Sequence, residues 1–146
     1  MRTWQRNMAI NILLDTNIIM DMFDENRKTH KNSLKLVRKF LSDDATLYVN
    51  SDTLTTSFYL LRSQKKASLE EALYAIRETT NICELIPIEM EDVEDTLLLC
   101  EDTKSPFKDY EDALQYVCAK KVGADFIVTN DKGFVALDIE LLSTKG

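Results

Sequence analysis

Ile10-Asn11-Ile12-Leu13-Leu14-Asp15-Thr16-Asn17-Ile18-Ile19-Met20-Asp21 is the stretch that decides the fold. Residues 10–14 form a short apolar run and read as a buried strand. The run stops at Asp15, and the residues from Ile18 to Phe23 begin a short helix. A strand that gives way at once to a helix is the opening of a βα unit. Where such units repeat, a parallel sheet forms with helices on both faces.

The repeats follow. Residues 32–41 place Leu34, Val37 and Leu41 at helical spacing, and residues 46–49 read as a second strand. Leu54, Phe58 and Leu61 mark a third helix. Leu69, Ala72, Leu73 and Ile76 fit the template of an amphipathic helix. Residues 83–88 are strand-like, and Pro87 makes that strand short or places it near an edge. Met90, Val93, Leu97 and Cys100 mark another helix, and Tyr110, Ala113, Leu114, Val117 and Cys118 the last long one. Residues 126–128 form a buried strand, with a final short strand at 139–142. The expectation is a three-layer α/β/α fold around a central parallel sheet. Residues 1–146 form one domain on this reading, with 1–9 as an N-terminal tail.

Composition narrows the function. The 146 residues are 45% hydrophobic and 29% charged, as in ordinary globular proteins. No apolar run is long enough to span a membrane, and residues 1–11 lack the apolar stretch of a signal peptide. Cys83, Cys100 and Cys118 are odd in number and widely spaced within apolar patterns. They read as buried free thiols in a reducing cytoplasm. Without a C-x-x-C pair, and with His30 as the single histidine, structural zinc and a Ser-His-Asp mechanism both lack their parts. The net charge of −7 opposes nucleic-acid binding, unless the acids surround a cation that neutralises them.

Ligands of a parallel sheet bind beyond the carboxyl ends of its strands. Asp15-Thr16-Asn17 follows the first strand, with Asp21 one turn on. Asn50-Ser51-Asp52 follows the second. The last long helix opens with Asp109-Tyr110-Glu111-Asp112, and Thr129-Asn130-Asp131 follows the strand at 126–128. Taken singly, Asp15 reads equally as a helix cap, Asp109 with Asp112 as a cap and a first-turn charge, and Asp131 as turn chemistry. Asp21 and Asp52 read as caps or solvated surface. Jointly, Asp15, Asp112 and Asp131 sit where a wound sheet converges. Carboxylates gathered there demand a cation, and hard oxygen donors favour Mg²⁺ or Mn²⁺.

The segment Leu13-Leu14-Asp15-Thr16-Asn17-Ile18-Ile19-Met20-Asp21 resembles the opening motif of PIN domains, including VapC-like toxins. Asp112-Ala113-Leu114-Gln115 resembles the family's Asp-Ala-x-x-Ala helix. Ile127-Val128-Thr129-Asn130-Asp131-Lys132-Gly133-Phe134 resembles its closing motif. The likeness runs from about Ile10 to Leu142 with order and spacing intact. It implies metal-dependent RNA cleavage, an antitoxin partner and a homodimer. Asp15, Asp112 and Asp131 would hold Mg²⁺, Asn17 and Thr129 would orient them or the scissile phosphate, and Asp109 would add an outer acid. The helix pair at 51–65 and 69–80 offers apolar side chains for the pairing. One departure stands out. The family's glutamate after the second strand is missing, because Thr56 and Ser57 occupy its place. Asp52, Asp109 or Glu111 would have to compensate, and the alternative is a silent domain that only binds RNA or a protein.

Other α/β families fit less well. A haloacid-dehalogenase phosphatase needs a second aspartate where Asn17 stands. A receiver domain needs an acidic pair where Asn11 and Leu14 stand, and a nucleotide-binding fold needs a Gly-rich loop. For contact with RNA, Lys28, Lys31, Lys35 and Arg38 fall on one helical stripe, and Arg62, Lys65 and Lys66 form a second cluster. Either is also an ordinary solvated face.

Overall fold

The structure is a computed structural model that describes residues 9–145. Of the tail expected at 1–9, only Ala9 lies within the described residues. The elements are β1 (Asn11–Leu14), α1 (Thr16–Phe23), α2 (His30–Ser42), β2 (Thr46–Asn50), α3 (Ser51–Ser63), α4 (Leu69–Ile82), β3 (Cys83–Ile86), α5 (Met90–Glu101), α6 (Tyr110–Lys121), β4 (Phe126–Val128) and β5 (Glu140–Leu142). The strands pair in the order β3-β2-β1-β4-β5, every pair parallel. β3 lies at an edge and ends before Pro87, which has no N–H to continue the ladder.

The three layers follow from the period of a strand. Successive side chains of β1 point to opposite faces. Leu13 packs with Leu114, Cys118 and Ala119 of α6 and with Phe107. Ile12 and Leu14 pack on the other side with Ile18 and Ile19 of α1 and Val37 of α2. All three β1 leucine and isoleucine side chains are fully buried, so the run has no polar face to alternate. A third cluster joins Met20 of α1, Leu61 of α3, and Ala72 and Ala75 of α4.

Two helices are turned away from their expected faces. In α4 the large Leu69 and Leu73 are exposed, while Ala72, Ala75 and Thr79 are buried. In α5 Met90 and Leu97 are exposed, while Asp92 and Thr96 are buried. Both buried threonines donate to the carbonyl four residues back, Thr79 to Ala75 at 2.8 Å and Thr96 to Asp92 at 2.7 Å. A hydroxyl so satisfied packs closely at little expense, whereas an unbonded one would not. Cys83 and Cys118 are buried as expected, but Cys100 is only partly covered.

Candidate active site

The strand order reverses direction between β1 and β4, and that crevice is where an α/β sheet binds its ligands. Asp15 leaves the end of β1 and caps α1, accepting from Thr16 N at 2.8 Å. The cap that the sequence allowed at Asp15 is thus present in the structure. Gln115 Nε2 also donates to Oδ1, at 3.1 Å, while Thr129 Oγ1 and Asn17 Nδ2 donate to Oδ2 at 2.8 and 3.1 Å. Burial raises the Asp15 pKa; the bonds from Thr129, Thr16 and Gln115 pull it down, and the Asp131 charge adds to the rise.

Asp15, Glu111, Asp112 and Asp131 line one cavity of about 400 Å³, with Asn17, Arg27 and Thr56 among its other walls. Asp112 projects from the first turn of α6 and accepts no side-chain hydrogen bond among the described residues. Its pKa is pushed up to about 7, first by burial and then by the charges of Asp109, Asp15, Asp131 and Glu111. Glu111 is raised as well, by burial and then by Asp15, Asp109 and Asp52. The carboxylates thus feel one another across the cavity. They are not drawn tight: among the described residues, no three His, Cys, Asp or Glu side chains form a group that holds a metal ion as they stand. Mutual repulsion acts in that direction until a cation compensates it. The donor set is all oxygen, which fits a hard divalent cation and not zinc.

Asn17 and Thr129 stand where the sequence suggested. Asn17 donates from Nδ2 to Thr129 Oγ1 at 3.3 Å and accepts from Asn130 N at 3.1 Å, tying α1 to the loop after β4. Asp131 is exposed, and its Oδ1 accepts from Gly133 N at 2.9 Å, so it serves the turn as well as the cavity. Asp109 is the exposed N-cap of α6, accepting from Asp112 N at 2.9 Å. Its charge bears on Asp112, but it does not line the cavity that Asp15 lines. Thr56 lines that cavity, whereas Ser57 is fully buried with its Oγ unpartnered among the described residues. The position open to the missing glutamate is therefore Thr56. Of the three acids that could stand in for it, Glu111 shares the cavity, while Asp52 is exposed in the first turn of α3.

Asp21 corrects the reading of it as surface or cap. It is 1% exposed and pairs with Arg27 at 2.7 Å. Thr29 Oγ1, Ser33 Oγ and Asn130 Nδ2 donate to its other oxygen at 2.6, 2.7 and 3.0 Å. The hydroxyls lie eight and twelve residues on, and Asn130 far along the chain, so no local pattern revealed the network. Gln115 was passed over too. It is 1% exposed and also donates to Thr53 Oγ1 while accepting from Asn50 Nδ2. Its signal was a polar residue in the middle of an apolar helix face. Of the second basic cluster, Lys65 pairs with Glu25 and Arg62 donates to the Ala67 carbonyl.

A PIN domain family model matches residues 11–133. The chain belongs to the PIN-domain family. This PIN domain is 43% identical over 134 residues to Ribonuclease VapC1 of Aquifex aeolicus, covering 92% of this chain and 90% of the relative. Solved structures share its fold at low identity. VapC20 of Mycobacterium tuberculosis, a Sarcin-Ricin loop cleaving toxin, superposes with a TM-score of 0.68 at 16% identity, covering 86% of this chain and 98% of that one. VapBC2 from Rickettsia felis, bound to a DNA fragment from its promoter, gives 0.67 at 20% identity, covering 92% and 98%. The PIN-like three-layer architecture expected from the sequence is thus the architecture of these proteins.

Proposed function

We propose that this chain is a Mg²⁺- or Mn²⁺-dependent endonuclease of single-stranded RNA and the toxin of a toxin–antitoxin pair. The observation that carries the reading is the cavity at the β1–β4 crevice, where Asp15, Glu111, Asp112 and Asp131 face one another. The ribonuclease name of the Aquifex aeolicus relative supports the reaction. The VapBC complexes among the structural neighbours support an antitoxin partner.

Asp15, Asp112 and Asp131 would hold the cation, with Glu111 beside them. When bound, a divalent cation supplies charge neutralisation at the phosphodiester and a more acidic water for attack. Everything else falls to the chain. Gln115, Thr129, Asn17 and the Thr16 amide fix both Asp15 oxygens in place. The Asp112 carboxylate accepts no hydrogen bond among the described residues, so it is open to ligate or to accept a proton near neutrality. Thr129 and Asn17, bonded to each other, orient that end of the cavity. Pairing of two copies would use the exposed Tyr59, Leu73 and Tyr74 of α3 and α4, and light scattering at micromolar concentration tests it. Three free cysteines accord with a reducing cytoplasm. No helix among the described residues is long and apolar enough to cross a membrane.

Thr56 favours one second reading, a silent domain that binds RNA or a protein without cutting it. The test is incubation of the purified chain with single-stranded RNA and Mg²⁺ or Mn²⁺. Cleavage supports the nuclease. A lack of cleavage of any RNA under both cations supports the silent domain.

A further inference from the structure

Among the residues lining the acidic cavity, Arg27 is the one base. A tight turn puts it there. Asp24 ends α1, its carbonyl accepts from Arg27 N at 3.1 Å, and its Oδ1 accepts from Asn26 N at 3.1 Å. The turn folds Arg27 back along α1 to Asp21. Asp21 Oδ1 then accepts from Arg27 Nε at 2.7 Å. An arginine has five N–H donors in a planar fork, and Nε supplies only one of them. Neither terminal nitrogen has an acceptor among the described residues, and the side chain remains 31% exposed.

Two simpler roles fit poorly. A counter-charge for the site would pair with Asp15, Asp112 or Asp131, yet the ion pair of Arg27 is with Asp21. A purely structural arginine would spend its fork on backbone carbonyls, as Arg62 does with Ala67. The geometry instead resembles a held tool: Nε is clamped by a buried carboxylate, the terminal nitrogens are left without acceptors among the described residues, and the residue lines the cavity. That fork matches two oxygens of a phosphate. A chain of net charge −7 also needs a local cation to admit an anionic strand to an acidic cleft.

We propose that Arg27 is a substrate-binding residue that grips a phosphate of the RNA strand at the acidic cavity, with Asp21 as its positioning residue. The assignment rests on the ribonuclease reading. The full chain carrying Asp112→Asn serves as a non-cleaving parent. Binding of a short fluorescein-labelled single-stranded RNA is followed by anisotropy with Mg²⁺ across a range of salt. Arg27→Gln and Arg27→Lys are added to the parent in turn. Each weakens binding about tenfold, the effect of losing a charge-assisted bond. Arg27→Gln also flattens the plot of log affinity against log salt by about 0.7, the slope of one single-strand phosphate contact, whereas Arg27→Lys, which keeps the charge, flattens it less. Arg27→Lys keeps a cation for Asp21 and loses the fork, so it decides the matter where Arg27→Gln fails to fold, with the thermal midpoint as control. Unchanged affinity in a folded Arg27→Lys would overturn the assignment while leaving the nuclease reading intact. A parent that binds no RNA at any salt would overturn both.

Discussion

Gln115 Nε2 donates to Asp15 Oδ1 across 3.1 Å, linking the carboxylate after the first strand to the helix that carries Asp112. Both residues are buried, and the same amide serves Thr53 and Asn50. Gln115→Leu removes every one of these partners at once. Its expected effect is a loss of about 2–3 kcal/mol, since buried polar groups are left unsatisfied. Urea denaturation near neutral pH measures it, and a loss within about 0.5 kcal/mol, the range of neutral surface changes, would contradict the network.

Asp112 gives a pH dependence. Its folded pKa of about 7 lies above the ordinary 3.8. The folded state therefore holds the proton more tightly than the unfolded chain. The stability this contributes is complete below the ordinary value and is lost as pH rises through about 7. In cation-free buffer, Asp112→Asn should raise the thermal midpoint at pH above that value and change it little in acid. A midpoint difference that does not vary with pH would contradict the electrostatic origin. Added Mg²⁺ should raise the wild-type midpoint and narrow the gap.

Removing the buried Asp21 leaves Arg27 half-buried without its partner, and Thr29, Ser33 and Asn130 without their acceptor. Asp21→Ala should destabilise by about 3–5 kcal/mol, the range for breaking a buried ion pair. Denaturant titration checks this, and a near-neutral result would show that the network is dispensable.

Positions 56 and 57 should respond oppositely. Ser57 Oγ is buried without a partner among the described residues, so Ser57→Ala should be neutral or stabilising by about 1 kcal/mol. Thr56→Glu adds a fifth carboxylate to the cavity wall and should tighten Mn²⁺ binding while lowering stability without metal. Calorimetric titration with Mn²⁺ reads the first effect. Unchanged affinity would show that side chains at position 56 do not reach the cation.

The fold was legible because β1 and its following helix announce themselves within twelve residues, and the same alternation recurs to Leu142. Asp15, Asn17, Asp112, Thr129 and Asp131 were legible because each flanks a strand or opens a helix. The faces of α4 and α5 were not, since Thr79 and Thr96 hide their hydroxyls in bonds to their own helices. Asp21 and Gln115 were hidden for a related reason. Their burial depends on partners such as Asn130 and Asp15, about a hundred residues away, and pattern reading treats a lone polar residue as solvated. The place of Arg27 was not legible, because the sequence does not show the turn at Asp24 that folds it back.

The most direct test is RNA cleavage by purified wild type and Asp112→Asn, each with Mg²⁺ and with EDTA. Asp112→Asn keeps the shape of the side chain and removes one charge from the proposed cation site. The expected result is cleavage by wild type with Mg²⁺, none in EDTA, and a loss of about a hundredfold or more in the variant, as when an electrostatic stabiliser of the transition state is removed. Cleavage that persists in EDTA, or in the folded variant at wild-type rate, would contradict a cation held by these aspartates.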